Sequence, residues 1–193
     1  MKWLPILGAV LALALVGASS ASASTVLCKT QTSPCPAGQE YPVGTKVTSQ
    51  VQGVLQIWKS TVPRSECASG KLNGEVTSSG INFTEFALSC GGSYQTCTYT
   101  GKAMPWSSVL SAGTGGNGAL TVSSARFSHT CSKLYLPGDY EATNFQLQVL
   151  GTSGEPARIQ MNTTFKALCC SETQRLEGTF KITSPSPLYV ENQ

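Results

Sequence analysis

Eight cysteines constrain the fold of this chain more than any other feature of its sequence. All of them follow residue 23, at Cys28, Cys35, Cys67, Cys90, Cys97, Cys131, Cys169 and Cys170. An even number of cysteines in an exported chain is typical of a disulfide framework. A metal site is disfavoured because the chain has no C-x-x-C pair and one histidine, His129. We therefore predict disulfides, and we predict neither a metal nor a cofactor.

The first 23 residues have the pattern of a signal peptide. Lys2 supplies a positive charge, residues 3–16 are almost wholly apolar, and an Ala-Ser-Ala cleavage motif ends at Ala23. That apolar stretch is too short to cross a bilayer comfortably, and no later stretch is long enough to do so. We expect cleavage after Ala23 and secretion of residues 24–193 as one domain without a membrane span.

A short loop segment is predicted to open the mature chain. Residues 24–44 are rich in proline and lack a clear strand pattern. Cys28 and Cys35 lie close together within this segment, next to Pro34 and Pro36. We expect these two cysteines to form a small N-terminal clasp.

The adjacent cysteines near the C-terminus limit the remaining pairings. Neighbouring side chains on a strand point to opposite faces, so Cys169 and Cys170 are predicted to bond to two different partners. We assign one disulfide to two cysteines in the middle of the chain. The two cysteines that then remain are assigned to the adjacent pair, one to each. The predicted pairs are Cys67–Cys90, with Cys97 and Cys131 bonded to Cys169 and Cys170.

Period-two alternation of apolar residues predicts the fold class. From residue 47 to residue 57 one face of the chain is mostly apolar, which predicts a long strand or a bent pair of strands around Gly53. Similar short runs recur as far as residue 190. No long window shows the period of a helix, although residues 171–177 are compatible with one or two helical turns. Many short strands separated by turn residues predict an all-β, antiparallel β-sandwich of Ig-like or jelly-roll-like type.

The charge balance excludes some classes of function. Charged residues make up 12% of the chain and the formal net charge is +3, without a basic run that could neutralise phosphates. We therefore expect no nucleic-acid partner. His129 and Asp139 are the single histidine and the single aspartate, which leaves little material for acid–base catalysis.

Two motifs resemble catalytic or cofactor sites but lack the necessary context. Residues 113–118 match G-x-G-x-x-G, yet a strand pattern follows where a phosphate-binding helix is needed. His129, Asp139 and Ser153 follow the chain order of a protease triad, but too little chain separates them to build two walls of a cleft. The carboxylates show no spacing that singles out a glycosidase pair. We predict that the protein is not an enzyme.

Trp58 and Trp106 are the candidate binding residues. Trp106 follows Met104-Pro105, and proline restricts the approach of the chain. Either tryptophan has two interpretations: a core aromatic that closes the fold, or an exposed platform for a sugar ring or a protein partner. The sequence leaves both interpretations open.

Several segments resemble a known group of proteins. They are residues 25–29 and 34–35, Tyr41-Pro42-Val43-Gly44-Thr45, residues 67–74 and 86–90, Met104-Pro105-Trp106, and the ending at residues 185–190. Over most of residues 24–193 the chain is similar to uncharacterised exported proteins of soil bacteria. That resemblance implies secretion, disulfides and an all-β fold, and it implies no activity and no site residue.

These observations lead to one preferred function and two alternatives. We expect a secreted, non-catalytic binding module or cell-envelope protein whose partner is a cell-wall polymer, a glycan or a protein. The first alternative is a secreted inhibitor of a protease or glycosidase, which would present a rigid loop at residues 113–118 or 90–97. The second alternative is a hydrolase with an unrecognised site.

Overall fold

A computed structural model describes residues 24–92, 95–132 and 138–193 of the chain, so the predicted signal peptide lies outside the described residues. Eleven β-strands form in these ranges. They are β1 (Thr25–Cys28), β2 (Lys46–Lys59), β3 (Val62–Val76), β4 (Ile81–Gly92), β5 (Gln95–Lys102), β6 (Trp106–Ala112), β7 (Gly118–Cys131), β8 (Gly138–Leu150), β9 (Arg158–Ala167), β10 (Thr173–Ser184) and β11 (Tyr189–Asn192). The described ranges contain no helix long and apolar enough to cross a membrane.

The main sheet closes into an eight-strand antiparallel barrel. The pairing runs β2–β3–β4–β5–β7–β8–β9–β10 and returns from β10 to β2. The sequence predicted a β-sandwich, and the barrel corrects that architecture while confirming the all-β antiparallel class. Alternation of apolar residues shows only that each strand buries one face. Strands of sandwiches and of barrels both do so, and the pattern therefore does not distinguish the two architectures. Closure depends on the pairing of β2 with β10, two strands that are far apart in the chain.

Strand β6 completes the wall where β5 is too short. β5 pairs with residues 87–92 of β4 and with residues 126–131 of β7. β6 takes the same place nearer the other end, beside residues 82–83 of β4 and 118–122 of β7. The gap between β4 and β7 is therefore filled along its length by two successive strands.

A bulge in β2 bends the sheet at the closing seam. The register of β2 shifts against both neighbours between Gln50 and Gln56, and Gly53 lies there at a φ of 72°. On the facing strand a Cβ at Gly178 would lie 2.8 Å from the Cα of Leu55. A larger side chain would push β2 and β10 apart, so glycine permits closure. Of the two alternatives that the sequence left open, the structure has one long strand with a bulge at Gly53.

Aromatic side chains fill the core. The ring centroids of Phe86 lie 5.2 Å from Trp106 and 5.9 Å from Phe127, and Phe127 lies 4.8 Å from Phe165. The fully buried phenylalanines are Phe83, Phe86, Phe127, Phe165 and Phe180. Each such side chain stabilises the fold by about 1.5–3 kcal/mol relative to exposure.

A two-stranded ribbon covers one end of the barrel. β1 pairs with β11, and the buried side chains of Leu27 and Val190 face the barrel core. We call this end the base. We call the opposite end the mouth; it is formed by the ends of β2, β7 and β9 at Lys59, Cys131 and Ala167.

Disulfides cross the wall near the mouth. The register places Cys67 opposite Cys90, Cys90 opposite Cys97, and Cys97 opposite Cys131, so these cysteines form one row across four strands. Cys67 bonds to Cys90, as predicted, and Cys97 bonds to Cys131. The predicted bonds from Cys97 and Cys131 to the adjacent cysteines are wrong, because the cross-strand register already brings the Cα atoms of this pair to 4.1 Å.

The third disulfide joins Cys28 to Cys35, as predicted for the N-terminal clasp. Cys169 and Cys170 are free and exposed. They follow the end of β9 and lie in a turn. The prediction that they bond to two different partners assumed that they lie on a strand, so it does not apply to them. Three disulfides in one chain are typical of an oxidising, extracellular environment.

Several local predictions differ from the structure. Residues 171–177 were compatible with one or two helical turns by sequence, but β10 begins at Thr173. β1 lies within the predicted loop segment of residues 24–44, where its four residues are too few to show a period. The sequence also predicted a short strand over residues 72–77, and β3 starts ten residues earlier, at Val62.

Candidate functional site

The residues of the suggested protease triad lie apart. His129 is buried on the inward face of β7, whereas Asp139 faces outward and accepts a hydrogen bond of 2.6 Å from Arg126 Nη2. Ser153 lies in the turn between β8 and β9 at the base, the opposite end of the barrel from His129. No nucleophile–base–acid arrangement therefore forms from these residues.

Trp106 is a core residue. Its side chain is 2% exposed, packs on Phe86, and donates a hydrogen bond of 2.8 Å from Nε1 to the carbonyl of Lys102. Alternate residues of β6 point inward, and Trp106 is the first of them. A buried ring cannot serve as a platform for a sugar, so the binding interpretation of Trp106 is replaced by the core interpretation.

Trp58 lies half-buried on the outer face of β2. The guanidinium carbon of Arg175 lies 4.9 Å from the centroid of its ring, in a cation–π contact across the β2–β10 pair. Arg175 therefore covers one face of the ring. The two predicted binding tryptophans do not form a common site, because one faces the core and the other faces outward.

Of the two loops suggested for an inhibitor, residues 113–118 do not form a free loop. Gln31 Nε2 donates to the carbonyl of Gly115 at 2.6 Å, and the amide of Val190 donates to the carbonyl of Gly116 at 2.9 Å. Residues 113–118 are thus held against the ribbon at the base. The other loop, residues 90–97, includes residues 93–94, which lie outside the described residues.

A polar cluster lies inside the mouth of the barrel. Tyr140 donates a hydrogen bond to Glu172 Oε1 at 3.1 Å, and Gln174 Nε2 donates to the Tyr140 hydroxyl at 3.1 Å. Lys59 Nζ lies 3.1 Å from the same Glu172 oxygen. The ring of His129 lies between those of Tyr99 and Tyr140, with centroid distances of 5.5 and 5.4 Å.

Burial shifts the pKa values of this cluster. It lowers the pKa of His129, although Glu172 and the backbone at Gly138 oppose the shift. Burial and the Glu172 carboxylate raise the pKa of Tyr140, and burial raises the pKa of Tyr99 to about 12. Burial opposes ionisation of Glu172, but hydrogen bonds from Lys59 and Tyr140 hold its pKa below the ordinary value. These groups are tied to one another, which makes the cluster a structural network.

A shallow cleft of about 390 Å³ lies between β8 and β9. Pairing of these strands stops between Glu141 and Gln148, where Asn144 adopts a φ of 50°. The side chain of Phe145 forms part of the lining and packs on Phe165 at 5.7 Å. The cleft is open and lined by short polar side chains such as Thr143.

The larger cleft, about 560 Å³, lies at the base beside β1. We call it the terminal cleft. Leu27, Tyr41, Val76 and Leu110 supply its apolar lining, and Val43 stands on its rim with 69% of its surface exposed. Concave surfaces lined by apolar side chains are the usual place for ligand binding.

The N-terminal segment is fastened in place around this cleft. Besides the Cys28–Cys35 disulfide, the amide of Gly44 donates to the carbonyl of Val76 at 2.8 Å, and the amide of Val76 donates to Thr45 at 2.9 Å. Burial, followed by the neighbouring Tyr189, raises the pKa of Tyr41. The walls of the terminal cleft are therefore preformed.

One edge of β1 opens into the terminal cleft. The amide of Gln193 donates to the carbonyl of Ser24, so the hydrogen bonds to β11 use even-numbered residues of β1. Odd-numbered residues point the other way: the carbonyl of Leu27 accepts from the amide of Tyr41 at 2.8 Å. Among the described residues, the N–H and C=O of Thr25 have no hydrogen-bond partner, and Thr25 lines the terminal cleft. Because Thr25 is odd-numbered, its N–H and C=O point away from β11, toward the side of β1 on which Tyr41 lies.

The flanks of this open edge carry opposite charges. Lys29 Nζ lies 5.7 Å from the centroid of the Tyr41 ring, and Glu40 accepts a hydrogen bond of 3.0 Å from Gln193 Nε2. Both residues line the terminal cleft. The cleft therefore combines an apolar lining, a free strand edge and a polar flank.

The sequence did not single out the residues of the terminal cleft. Thr25, Leu27, Tyr41 and Val43 fall in the segment that was predicted to be a loop, and Val76 and Leu110 come from strands far away in the chain. No local sequence pattern connects the residues of the N-terminal segment with Val76 and Leu110. The apolar side chains of Tyr41 and Val43, close to the clasp, were the one available signal.

Metal and family comparisons add no further assignment. Within residues 24–92, 95–132 and 138–193, no group of three or more His, Cys, Asp or Glu side chains is placed to hold a metal ion. No protein-family model, no curated protein and no solved structure matches this chain.

Proposed function

We propose that the protein is a secreted, non-catalytic binding protein that captures an extended segment of a partner protein in the terminal cleft. The segment adds in antiparallel direction to the open position of this edge of β1, at Thr25, next to residues 39–41, which already bond to Leu27 and Lys29. Its backbone bonds to Thr25, and its alternate side chains enter the apolar lining of the cleft. This proposal selects a protein from the three partner classes that the sequence left open.

The free backbone of Thr25 is the observation that carries the proposal. An unpaired N–H and C=O on a strand edge form a template for another strand, and many recognition domains bind peptides in this way. A glycan has no repeating pattern of amides that would match a strand edge. The terminal cleft is also the larger of the two described clefts, and it adjoins this edge.

The lining defines the chemistry of the bound segment. Side chains on one face of an added strand would meet Leu27, Val76 and Leu110, so apolar residues are expected at alternate positions of the segment. Lys29 and Glu40 stand at the flank, where charged residues of the segment add specificity more than affinity. We expect short, alternating apolar–polar segments to bind best.

The predicted signal peptide and the three disulfides support an extracellular site of action. The predicted cleavage after Ala23 would begin the mature chain at Ser24, directly before the free edge of Thr25. N-terminal sequencing of protein recovered from the medium tests this step. The expected first residue is Ser24, and an uncleaved or differently cleaved chain would contradict the proposed processing.

A proline substitution provides the sharpest test of the binding mode. Thr25→Pro removes the N–H that points away from β11, whereas the bonds from β1 to β11 are made by even-numbered residues. Nonapeptides selected from a random library on the wild-type protein serve as probes. We expect Thr25→Pro to weaken their binding by at least about tenfold, because one hydrogen bond is lost and the ring obstructs the added strand.

Thr25→Ala is the matched control, because it changes the side chain and keeps the backbone. We expect it to bind the same peptides within about threefold of the wild type. Melting temperatures of both variants check that the ribbon remains folded. Equal binding by Thr25→Pro, or failure of the library to yield any peptide that competes at the cleft, would overturn the proposal.

A further inference from the structure

Cys169 and Cys170 form a second feature of the molecule, separate from the terminal cleft. Their Sγ atoms lie 2.7 Å apart in the turn between β9 and β10, and both side chains are exposed. The other six cysteines are joined in three disulfides. Each member of this pair therefore has the other as its one close sulfur neighbour within the chain.

The ends of the turn are fixed by the backbone. The amide of Ala167 donates to the carbonyl of Glu172 at 2.8 Å, and the amide of Leu168 donates to the carbonyl of Asp139 at 2.9 Å. These bonds hold the residues on either side of the cysteines, so the two thiols cannot move far along the surface. Their closeness is a property of the turn.

We propose that Cys169 and Cys170 are a redox-active pair that closes to a disulfide between adjacent residues and is reopened by external thiols. The co-reactant is a small disulfide of the glutathione type. One thiolate attacks that disulfide and releases one thiol, which leaves a mixed disulfide on the protein. The second thiolate then attacks the protein sulfur, forms the Cys169–Cys170 bond and releases the second thiol.

Protons and electrons balance in this exchange. The two cysteines together lose two protons and two electrons, and the small disulfide gains them as two thiols. The exposure of both sulfur atoms gives the co-reactant access, whereas Cys67, Cys90 and Cys97 are buried in the wall. The three structural disulfides are therefore expected to stay intact while this pair cycles.

The neighbours of the pair connect it to the mouth. Glu172 follows two residues after Cys170 and accepts the hydrogen bond from Tyr140. Closing the pair restrains the turn that carries Glu172, so the environment of the Tyr140 hydroxyl depends on the redox state. The Cys170 thiol raises the pKa of Cys169, which favours faster exchange at alkaline pH.

Mass spectrometry of the tryptic peptide of residues 167–175 tests the proposal, because this peptide contains both cysteines and no other. The exported protein is trapped with N-ethylmaleimide without a reductant. We expect an unlabelled peptide two hydrogens lighter than its dithiol form. After brief treatment with reduced glutathione we expect two maleimide groups on this peptide, and oxidised glutathione should remove the capacity for labelling.

Two variants keep the test decisive. Cys169→Ser leaves one thiol and should yield a stable glutathione adduct at Cys170, whereas the Cys169→Ser/Cys170→Ser double variant should yield none. Two maleimide groups on the wild-type peptide after full treatment with oxidised glutathione would overturn the proposal. A link between two copies of the chain through this peptide would overturn it as well.

Discussion

The hydroxyl of Tyr140 in β8 joins this strand to β10, because it accepts a hydrogen bond of 3.1 Å from Gln174 and donates one of the same length to Glu172. Gln174 is buried, and its Oε1 has no partner among the described residues. The polar network at the mouth therefore depends on this one hydroxyl.

Tyr140→Phe should destabilise the protein by about 1–3 kcal/mol, because the buried amide of Gln174 loses its acceptor. Urea unfolding followed by tryptophan fluorescence measures the change. Tyr189→Phe is the matched control, since the Tyr189 hydroxyl makes no side-chain hydrogen bond among the described residues. Equal stability of the two variants would show that the Tyr140 network contributes little.

His129 should make the protein less stable in acid. Burial lowers its pKa in the folded state below the ordinary value of 6.5, so between these two pKa values the unfolded chain binds more protons than the folded one. The stability contribution is complete above pH 6.5 and declines as the pH falls toward the folded-state pKa.

The His129→Gln variant removes this dependence. The slope of unfolding free energy against pH just below pH 6.5 should decrease by up to about 1.4 kcal/mol per pH unit, the limit for one proton. Urea unfolding at closely spaced pH values measures the slope. Identical slopes for the variant and the wild type would contradict a depressed pKa of His129.

Trp106→Ala should cost about 3–5 kcal/mol of stability, because it removes a large buried side chain that packs on Phe86. Trp106→Phe should cost less, since it fills most of the space. Denaturant midpoints distinguish the two variants. A Trp106→Ala protein of unchanged stability that had lost retention on a cell-wall polymer would instead favour the exposed-platform interpretation.

The Cys97–Cys131 disulfide should contribute about 3–4 kcal/mol, since it closes a loop of 34 residues in the unfolded chain. The double variant Cys97→Ala/Cys131→Ala tests this value by chemical unfolding without a reductant. The chain keeps two further structural disulfides, so we expect the variant to fold. A loss below about 1 kcal/mol would indicate that the hydrogen bonds between β5 and β7 already hold the wall.

The sequence predicted those features of the fold that local patterns encode. Alternation predicted a strand over residues 47–57, and β2 contains this stretch. The closely spaced Cys28 and Cys35 were paired correctly. A signal that spans a few residues is sufficient for such features, because strand alternation and a short covalent loop are both local.

Long-range pairing decided the rest. The choice between a sandwich and a barrel depends on the β2–β10 seam, and the partner of Cys97 depends on the β5–β7 register. The terminal cleft joins Leu27 to Leu110 across the fold, which no local spacing encodes. Trp106 could not be assigned to the core from sequence, because the strand that it begins is short.

Amide hydrogen exchange at Thr25 tests the central proposal most directly. A nonapeptide selected on the wild-type protein is added at saturation, and exchange is compared with the free protein. A strand added to β1 should slow exchange of the Thr25 amide by at least about tenfold, because that N–H gains a hydrogen bond. Unchanged exchange at Thr25, with protection appearing instead at the mouth around His129, would contradict peptide capture on the edge of β1.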